Sequence, residues 1–336
     1  MSRFSQLGRP TVIVLFAVAS MAPWEIAVAQ DRLPFDAEDA ASIERCGCVE
    51  QGCVEQGCVE QGCGAYGCAD NGCCRGRRTL FSWNNGRVVS DGSFLDEPLV
   101  TDRPDFTEAS GTVGNGVSQI EMGYTYVYNS DLGESTRFNS FGEALLRQGM
   151  FADWFEFRLA VFPVEEQTTA GGVSNSTAGI GDLYLGVKLG LTLQDGALPE
   201  MALIPQMNVP TGSNAFTSNH VEPGLNWIYS WEINDFLSTA GSTQGNKRVD
   251  DTGDAYTEIA QSWTFAYTLT DELGAYTEWF ALFPSGANTA QVEHFFNGGF
   301  TYLISDNMQF DIRAGKGLNY AAPDYFFGTG LSVRFP

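Results

Sequence analysis

The sequence predicts an all-β protein: a transmembrane, antiparallel, up-and-down β-barrel of about twelve strands that follows a disordered or loop-rich N-terminal arm. Three observations support this prediction. From residue 117 onward, apolar and polar residues alternate with a period of two. Short and long connections alternate between the predicted strands. After the N-terminus, no apolar run is long enough to form a membrane-spanning helix.

The first 29 residues are typical of an export signal. Arg3 and Arg9 precede an apolar stretch at 11–22, and residues 27–29 (Ala-Val-Ala) form a small-x-small cleavage motif. A retained anchor helix is the alternative, but the apolar stretch is shorter than a membrane-spanning helix requires. We therefore expect residues 1–29 to be removed and the rest of the chain to leave the cytoplasm.

An arm at residues 30–75 contains all eight cysteines of the chain. The pentapeptide Val-Glu-Gln-Gly-Cys occurs three times in succession between residues 49 and 63. A period of five residues matches neither a helix face nor a strand face, so we expect an irregular, loop-rich segment. The cysteines are Cys46, Cys48, Cys53, Cys58, Cys63, Cys68, Cys73 and Cys74.

Three interpretations of this arm are open. An exported segment with an even number of cysteines normally forms disulfides, which would give a bridged or flexible tether. Soft thiolates beside Glu50, Glu55 and Glu60 could instead bind a soft metal ion, although the spacing lacks the CxxC pairs of zinc sites. The third interpretation is that the arm is cross-linked to an envelope partner. In every case we expect the arm to lie in the periplasm.

A linker at residues 76–116 leads into the barrel domain, residues 117–336. Turn signals divide this domain into strands at 117–129, 136–147, 153–163, 179–193, 199–209, 220–233, 235–243, 254–269, 272–283, 291–304, 307–317 and 324–335. Short connections are expected at 149–152, 195–198, 234, 270–271 and 305–306, and longer ones at 164–178, 210–219 and 244–253. Short turns at one end and long loops at the other are typical of outer-membrane barrels, whereas a soluble sandwich has no reason to follow this rule.

The two faces of the predicted strands differ in chemistry. In a membrane barrel the apolar face contacts lipid and the polar face lines the lumen. This register points twelve charged side chains inward: Glu121, Glu143, Arg147, Glu156, Arg158, Asp182, Lys188, Glu258, Glu278, Asp311, Arg313 and Arg334. Such charges either pair structurally or line a net-acidic channel that favours cations or neutral solutes.

Charge and motif content exclude several function classes. The formal net charge of −23 excludes nucleic acid as a partner, because phosphate neutralisation needs clustered Lys and Arg. His220 and His294 are the only histidines, no Gly-x-Ser-x-Gly motif occurs, and the Gly-Lys-Gly at 315–317 lacks the rest of a phosphate-binding loop. We predict no enzyme and no cofactor. The expected partners are the lipid bilayer and small-molecule solutes.

Residues 101–108 (Thr-Asp-Arg-Pro-Asp-Phe-Thr-Glu), followed by the strand at 120–128, resemble a bacterial outer-membrane family labelled putative MetA-pathway of phenol degradation, often called simply transporter. The glycine-rich segment 179–188 and the ending 319–335 are also similar to this family. The resemblance covers about residues 100–336, without the cysteine arm. It implies a β-barrel that passes small, aromatic or hydrophobic compounds. Pro336 departs from the terminal aromatic residue of many outer-membrane barrels.

Asp102, Arg103 and Asp105 precede the first predicted strand on the periplasmic side. They are expected either to insert as a plug, with Arg103 meeting a lumenal carboxylate, or to form an Asx-type turn that leads into the barrel. The predicted function is that of a channel or transporter in the cell outer membrane. The alternative is a structural envelope barrel with a closed lumen, whose disulfide- or metal-binding arm is a periplasmic tether.

Overall fold

The computed structural model describes residues 48–49, 52–53, 79–81, 97–250 and 252–335. Two short strands in the arm, β1 (Cys48–Val49) and β2 (Gly52–Cys53), pair antiparallel. The predicted export signal, the other six cysteines of the arm and Pro336 lie outside the described residues. Within the described ranges, no helix is long and apolar enough to cross a membrane.

One large antiparallel sheet contains the remaining strands. They are β3 (Ser118–Asp131), β4 (Glu134–Gly149), β5 (Phe155–Val161), β6 (Pro163–Ala170), β7 (Val173–Ile180), β8 (Leu183–Thr192), β9 (Glu200–Val209), β10 (Glu222–Asn234), β11 (Leu237–Val249), β12 (Ala255–Thr268), β13 (Leu273–Ser285), β14 (Glu293–Ser305), β15 (Met308–Gly317) and β16 (Tyr325–Phe335).

Twelve of these strands close into a barrel. The sheet has 14 strands, and β6 and β7 lie outside the closed cylinder, which leaves 14 − 2 = 12. The last strand, β16, pairs with the first, β3, and β5 pairs with β8 across the insertion of β6 and β7. Closure gives every strand of the cylinder a partner on both sides, which a membrane-embedded sheet requires. The prediction of an antiparallel barrel of about twelve strands is confirmed.

The hairpin of β6 and β7 extends one side of the wall beyond the cylinder. β6 continues β5 after a break at Phe162 and pairs with the first half of β4, while β7 pairs with β6 and leads into β8. The prediction of a long loop at 164–178 is therefore wrong. Its Thr and Val residues suit a strand, and the turn shrinks to Gly171 and Gly172, both at positive φ.

The predicted loop at 244–253 is also mostly strand, because β11 stays paired with β12 up to Val249. The connection that remains is stabilised by Asp250. Its carboxylate accepts hydrogen bonds from the Thr252 hydroxyl at 2.6 Å and from the Asn288 backbone N–H at 2.8 Å. These hydrogen bonds lower the pKa of Asp250 to about 2. We call this end of the barrel the loop end, and the opposite end, where the chain enters β3, the turn end.

The two faces of the wall have the chemistry expected for a barrel in lipid. On β12, the outward side chains Ile259, Trp263 and Phe265 are 41%, 37% and 43% exposed. On the same strand, Ser262 and Thr264 point inward and are buried. A polar interior surrounded by an apolar exterior is the arrangement of an outer-membrane barrel.

We predict that Trp263→Arg destabilises the barrel by about 2–4 kcal/mol in a bilayer, because Trp263 faces lipid near the middle of β12. Leu269→Arg, in the turn after that strand, is the matched control and should cost no more than about 1 kcal/mol. Denaturant unfolding of the protein in lipid vesicles measures both. Equal effects of the two substitutions would contradict a bilayer-embedded wall.

Candidate functional site

A segment of chain that precedes the first barrel strand runs inside the barrel; we call residues 99–114 the lumenal segment. The backbone N–H of Leu99 donates to Asp306 O at 2.7 Å, in the turn between β14 and β15. The segment returns to the same end, where Gly116 N–H donates to Gly149 O at 3.1 Å. Residues 101–111 between these anchors are all buried. The segment therefore enters at the turn end, reverses within the lumen and leaves at the turn end.

Asp102 anchors the segment to one side of the wall. Its Oδ1 lies 2.8 Å from Lys188 Nζ, its Oδ2 lies 3.3 Å from Arg147 Nε, and it also pairs with Arg158. All four side chains are buried. The backbone N–H of Asp102 donates to both oxygens of Glu121 at 2.8 Å. One carboxylate of the segment thus meets three cations from β4, β5 and β8.

Wall carboxylates balance the same cations. Glu156 accepts two hydrogen bonds from Arg147, each 2.9 Å long, and one of 3.0 Å from Arg158. Glu121 accepts one of 3.0 Å from Arg147. Glu108, near the end of the family motif, lies 3.5 Å from Arg158. Buried charges are tolerated only when they are paired in this way.

Arg103 anchors the segment to the neighbouring part of the wall. Its guanidinium pairs with Glu143 of β4 at 2.6 Å and with Asp311 of β15 at 3.3 Å. Two wall glycines make room for it: a Cβ at Gly123 or Gly330 would lie 2.3 Å or 2.2 Å from guanidinium atoms. Any larger residue at either position would displace the arginine.

The tip of the segment is held by hydrogen bonds to strands on the far side. The backbone N–H groups of Phe106 and Thr107 donate to Glu278 at 2.7 and 2.8 Å. Thr264 donates its hydroxyl to Asp105 at 2.9 Å, and Arg313 donates to the carbonyl of Pro104 at 2.9 Å. The tip therefore contacts β12, β13 and β15.

Stacked phenylalanines lie between the tip of the segment and the loop end. We call Phe106, Phe280, Phe295 and Phe326 the aromatic layer. The ring centroids of Phe106 and Phe280 are 4.4 Å apart, as are those of Phe280 and Phe295, and Phe326 lies 6.3 Å from Phe295. This layer is the most apolar part of the described lumen.

Beyond the aromatic layer, four charged side chains form what we call the loop-end cluster: Glu222, Arg248, Glu258 and Glu293. Arg248 pairs with Glu222 at 3.1 Å and with Glu258 at 3.3 Å. The Oε2 atom of Glu293 is buried and has no hydrogen-bond partner among the described residues. The cluster carries three carboxylates and one cation.

Most of the charges that the sequence points inward are buried in this interior. They are Glu121, Arg147, Glu156, Arg158, Lys188, Glu258, Glu278, Asp311 and Arg334. Glu143 and Arg313 are partly exposed and contact the lumenal segment. Arg334 lies at the turn end, where it donates to Asn307 Oδ1 at 2.7 Å.

Asp182 has a different environment from the other predicted lumenal charges. It lies between β7 and β8, and its carboxylate accepts hydrogen bonds from Gly212 N–H at 2.9 Å and Ser218 N–H at 3.0 Å. Asp182 therefore stabilises the loop at 210–221, whose Phe216 belongs to the buried apolar core. His220 lies exposed in that loop, and His294 faces outward and stacks on Trp279 with centroids 5.9 Å apart.

Sequence reasoning missed Gly123, Gly330, the aromatic layer and most of the loop-end cluster. The alternation of apolar and polar residues predicts that Phe280, Phe295, Phe326 and Glu293 point into the lumen. It does not predict the stacking of the rings, because stacking depends on which strands become neighbours.

Residues 101–335 match the sequence model of a family described as "Putative MetA-pathway of phenol degradation". The chain belongs to this family. The match begins at Thr101, so the family's shared sequence includes nearly all of the lumenal segment and leaves out the cysteine arm. No curated protein matches the sequence.

Solved outer-membrane structures share the architecture of this family member. An outer membrane channel from Pseudomonas putida F1 superposes with a TM-score of 0.56 at 11% identity, covering 67% of this chain and 98% of that chain. A KdgM porin in complex with disordered oligogalacturonate gives a TM-score of 0.40 at 12% identity, covering 64% of this chain and 99% of the porin. At such identities the first similarity supports the outer-membrane barrel fold alone.

We predict that Asp102→Asn destabilises the barrel by about 3–5 kcal/mol, because it leaves Arg147, Arg158 and Lys188 with one buried carboxylate fewer. Asp235→Asn, in an exposed turn, is the control and should change stability by less than about 0.5 kcal/mol. Denaturant unfolding measures both.

The double variant Asp102→Asn with Lys188→Met should recover part of the loss, because it removes a cation together with the carboxylate. If the two substitutions instead add independently, Asp102 and Lys188 do not interact in the folded barrel.

Proposed function

We propose that this protein is an outer-membrane channel for small solutes, with the barrel lumen as the pathway and the lumenal segment as a plug. The main support for this proposal is that a separate segment, held by ion pairs and hydrogen bonds, occupies the turn-end part of the lumen. Twelve strands enclose more space than their own side chains fill, whereas eight strands do not. The inward positions of the wall bind the segment through Arg147, Arg158, Lys188 and Glu278.

The contacts of the plug are of a kind that water can replace. When the segment withdraws, water can hydrate the charged groups that it leaves, which offsets part of the loss of its ion pairs and hydrogen bonds. The apolar contact of the tip is mainly the Phe106 ring on Phe280. A segment held in this way is compatible with a lumen that is closed at rest and opens when the segment moves.

The aromatic layer supports small aromatic or hydrophobic compounds as the solutes. Stacked rings offer a planar, apolar surface at the tip of the plug. The family description refers to phenol degradation, which fits a solute of this class. Catalysis is not part of the proposal: the inward Ser262 is hydrogen-bonded to Thr107 and Ser242, with no histidine in the described lumen to activate it.

The second candidate function is a structural envelope barrel, and the filled lumen favours it. In that case the ion pairs of Asp102 and Arg103 serve stability, and no solute crosses. The cysteine arm would then be the working part, as a periplasmic tether or a soft-metal ligand.

We predict that replacing residues 101–108 with a Gly-Ser stretch of equal length raises single-channel conductance in a planar bilayer. The replacement keeps the chain length but removes the side chains that hold the segment in place. Phe106→Ala is the milder companion, which should raise conductance less. Heat-modifiable electrophoretic migration establishes that each variant is folded. Folded variants with the conductance of the intact protein would exclude a plug and favour the structural function.

For the arm, we predict that the intact exported protein has no titratable thiol until a reductant is added, because eight cysteines in an oxidising compartment form disulfides. Thiol titration with and without reductant measures the number of free cysteines, and metal analysis of the purified protein measures bound metal. Free thiols accompanied by bound metal would favour the soft-metal interpretation instead.

A further inference from the structure

Among the described residues, the loop-end cluster has three carboxyl side chains and one cation. Glu222 and Glu258 share Arg248, at 3.1 and 3.3 Å. Glu293 is 5% exposed, and its Oε2 atom lacks a hydrogen-bond partner among the described residues. A buried, ionised carboxylate without a partner is costly, and a cation from outside the chain would supply the missing partner.

Glu293 lies next to the aromatic layer on its loop-end side, and Glu258 lies farther toward the loop end. Glu293 precedes Phe295 by two residues on β14, so both side chains point into the lumen on the same face. Glu258 has the same relation to Ala260 on β12, and Ala260 pairs with Leu282 of β13, which in turn pairs with Glu293. Two residues of a strand span about 7 Å, so Glu293 lies about that far along β14 from Phe295. Glu258 pairs with Pro284, which lies two residues farther toward the loop end than Leu282.

The chemistry of the cluster favours an organic cation over a metal ion. No group of three or more His, Cys, Asp or Glu side chains within the described ranges is arranged to hold a metal. The apolar neighbours Phe295, Leu282 and Phe280 also offer no oxygen ligands. An ammonium group, by contrast, pairs with carboxylates, and an aromatic face accepts the apolar body attached to it.

We propose that the loop-end half of the lumen binds a protonated amine that carries an apolar body about one aromatic ring in size. The ammonium group lies against Glu293, and the body lies on Phe280 and Phe295. Arg248 keeps Glu222 and Glu258 paired, which leaves Glu293 as the carboxylate available to the ligand. This inference deepens the proposed channel function, because it names the solute class that the pathway selects.

The test uses three probes of matched shape: phenethylammonium, the neutral 2-phenylethanol and the anionic 3-phenylpropionate. Binding to the full-length protein in detergent micelles is measured by isothermal titration calorimetry. We expect phenethylammonium to bind more tightly than 2-phenylethanol, and 3-phenylpropionate to bind least. Glu293→Gln keeps the shape of the side chain and should weaken phenethylammonium about tenfold, the loss of one charge-assisted contact.

Two further variants separate the contribution of the aromatic rings from that of the Glu293 charge. Phe295→Leu should weaken phenethylammonium and 2-phenylethanol together, because both place a ring on the aromatic layer. Glu272→Gln, an exposed carboxylate in the turn between β12 and β13, is the matched control and should change neither. The affinity of 2-phenylethanol should be unchanged in Glu293→Gln.

Equal binding of the three probes, or a phenethylammonium affinity that Glu293→Gln leaves unchanged, would overturn the inference. A different measurement, the transport of the probes across proteoliposome membranes, tests the channel proposal. If all three probes cross proteoliposomes faster than protein-free liposomes and charge makes no difference, the channel stands and the cation site is wrong. If none of the three probes crosses faster than in protein-free liposomes even with the plug replaced, the channel proposal itself is wrong.

Discussion

The carboxylate of Asp102 lies among Lys188, Arg147 and Arg158, and the rest of the interior is arranged around this contact. Three cations on adjacent inward positions of a membrane barrel repel each other, and all three are fully buried. Glu156 and Glu121 neutralise part of that charge, and Asp102 supplies a further carboxylate from the lumenal segment. The segment that precedes the barrel is therefore an electrostatic component of the wall. Its fixed position then determines where Arg103 and Phe106 lie.

From this anchor the lumen divides into three levels. Ion pairs hold the segment at the turn end, stacked phenylalanines lie at its tip, and the loop-end cluster, which includes Glu293, lies beyond them. A solute that enters from the loop end would meet a carboxylate first, an aromatic surface next and the plug last. In this order the solute binds at the proposed cation site before it reaches the plug of the proposed channel.

Much of the wall was predictable from the sequence, because alternation is a local property. The period of two placed Trp263 toward lipid and Glu278 and Lys188 toward the lumen. The loops were less predictable: the Thr- and Ser-rich stretch at 164–178 has loop-like composition, yet it pairs as β6 and β7. Strand pairing stabilises this stretch through backbone hydrogen bonds, which the amino-acid composition of the stretch does not predict. The pairing partners of the lumenal charges could not be predicted from the sequence either, since Arg103 and Asp311 are 208 residues apart.

The local pattern of residues was enough to predict the fold class, the approximate number of strands and the face on which most side chains of the barrel strands lie. Each of these follows from residues only one or two positions apart. Three features became visible only in the folded barrel: β16 closes on β3, Arg103 fits between Gly123 and Gly330, and Glu293 Oε2 has no hydrogen-bond partner among the described residues. These facts depend on closure, which brings residues distant in the chain to the same level of one lumen. A periodic pattern carries no information on which strands become neighbours there.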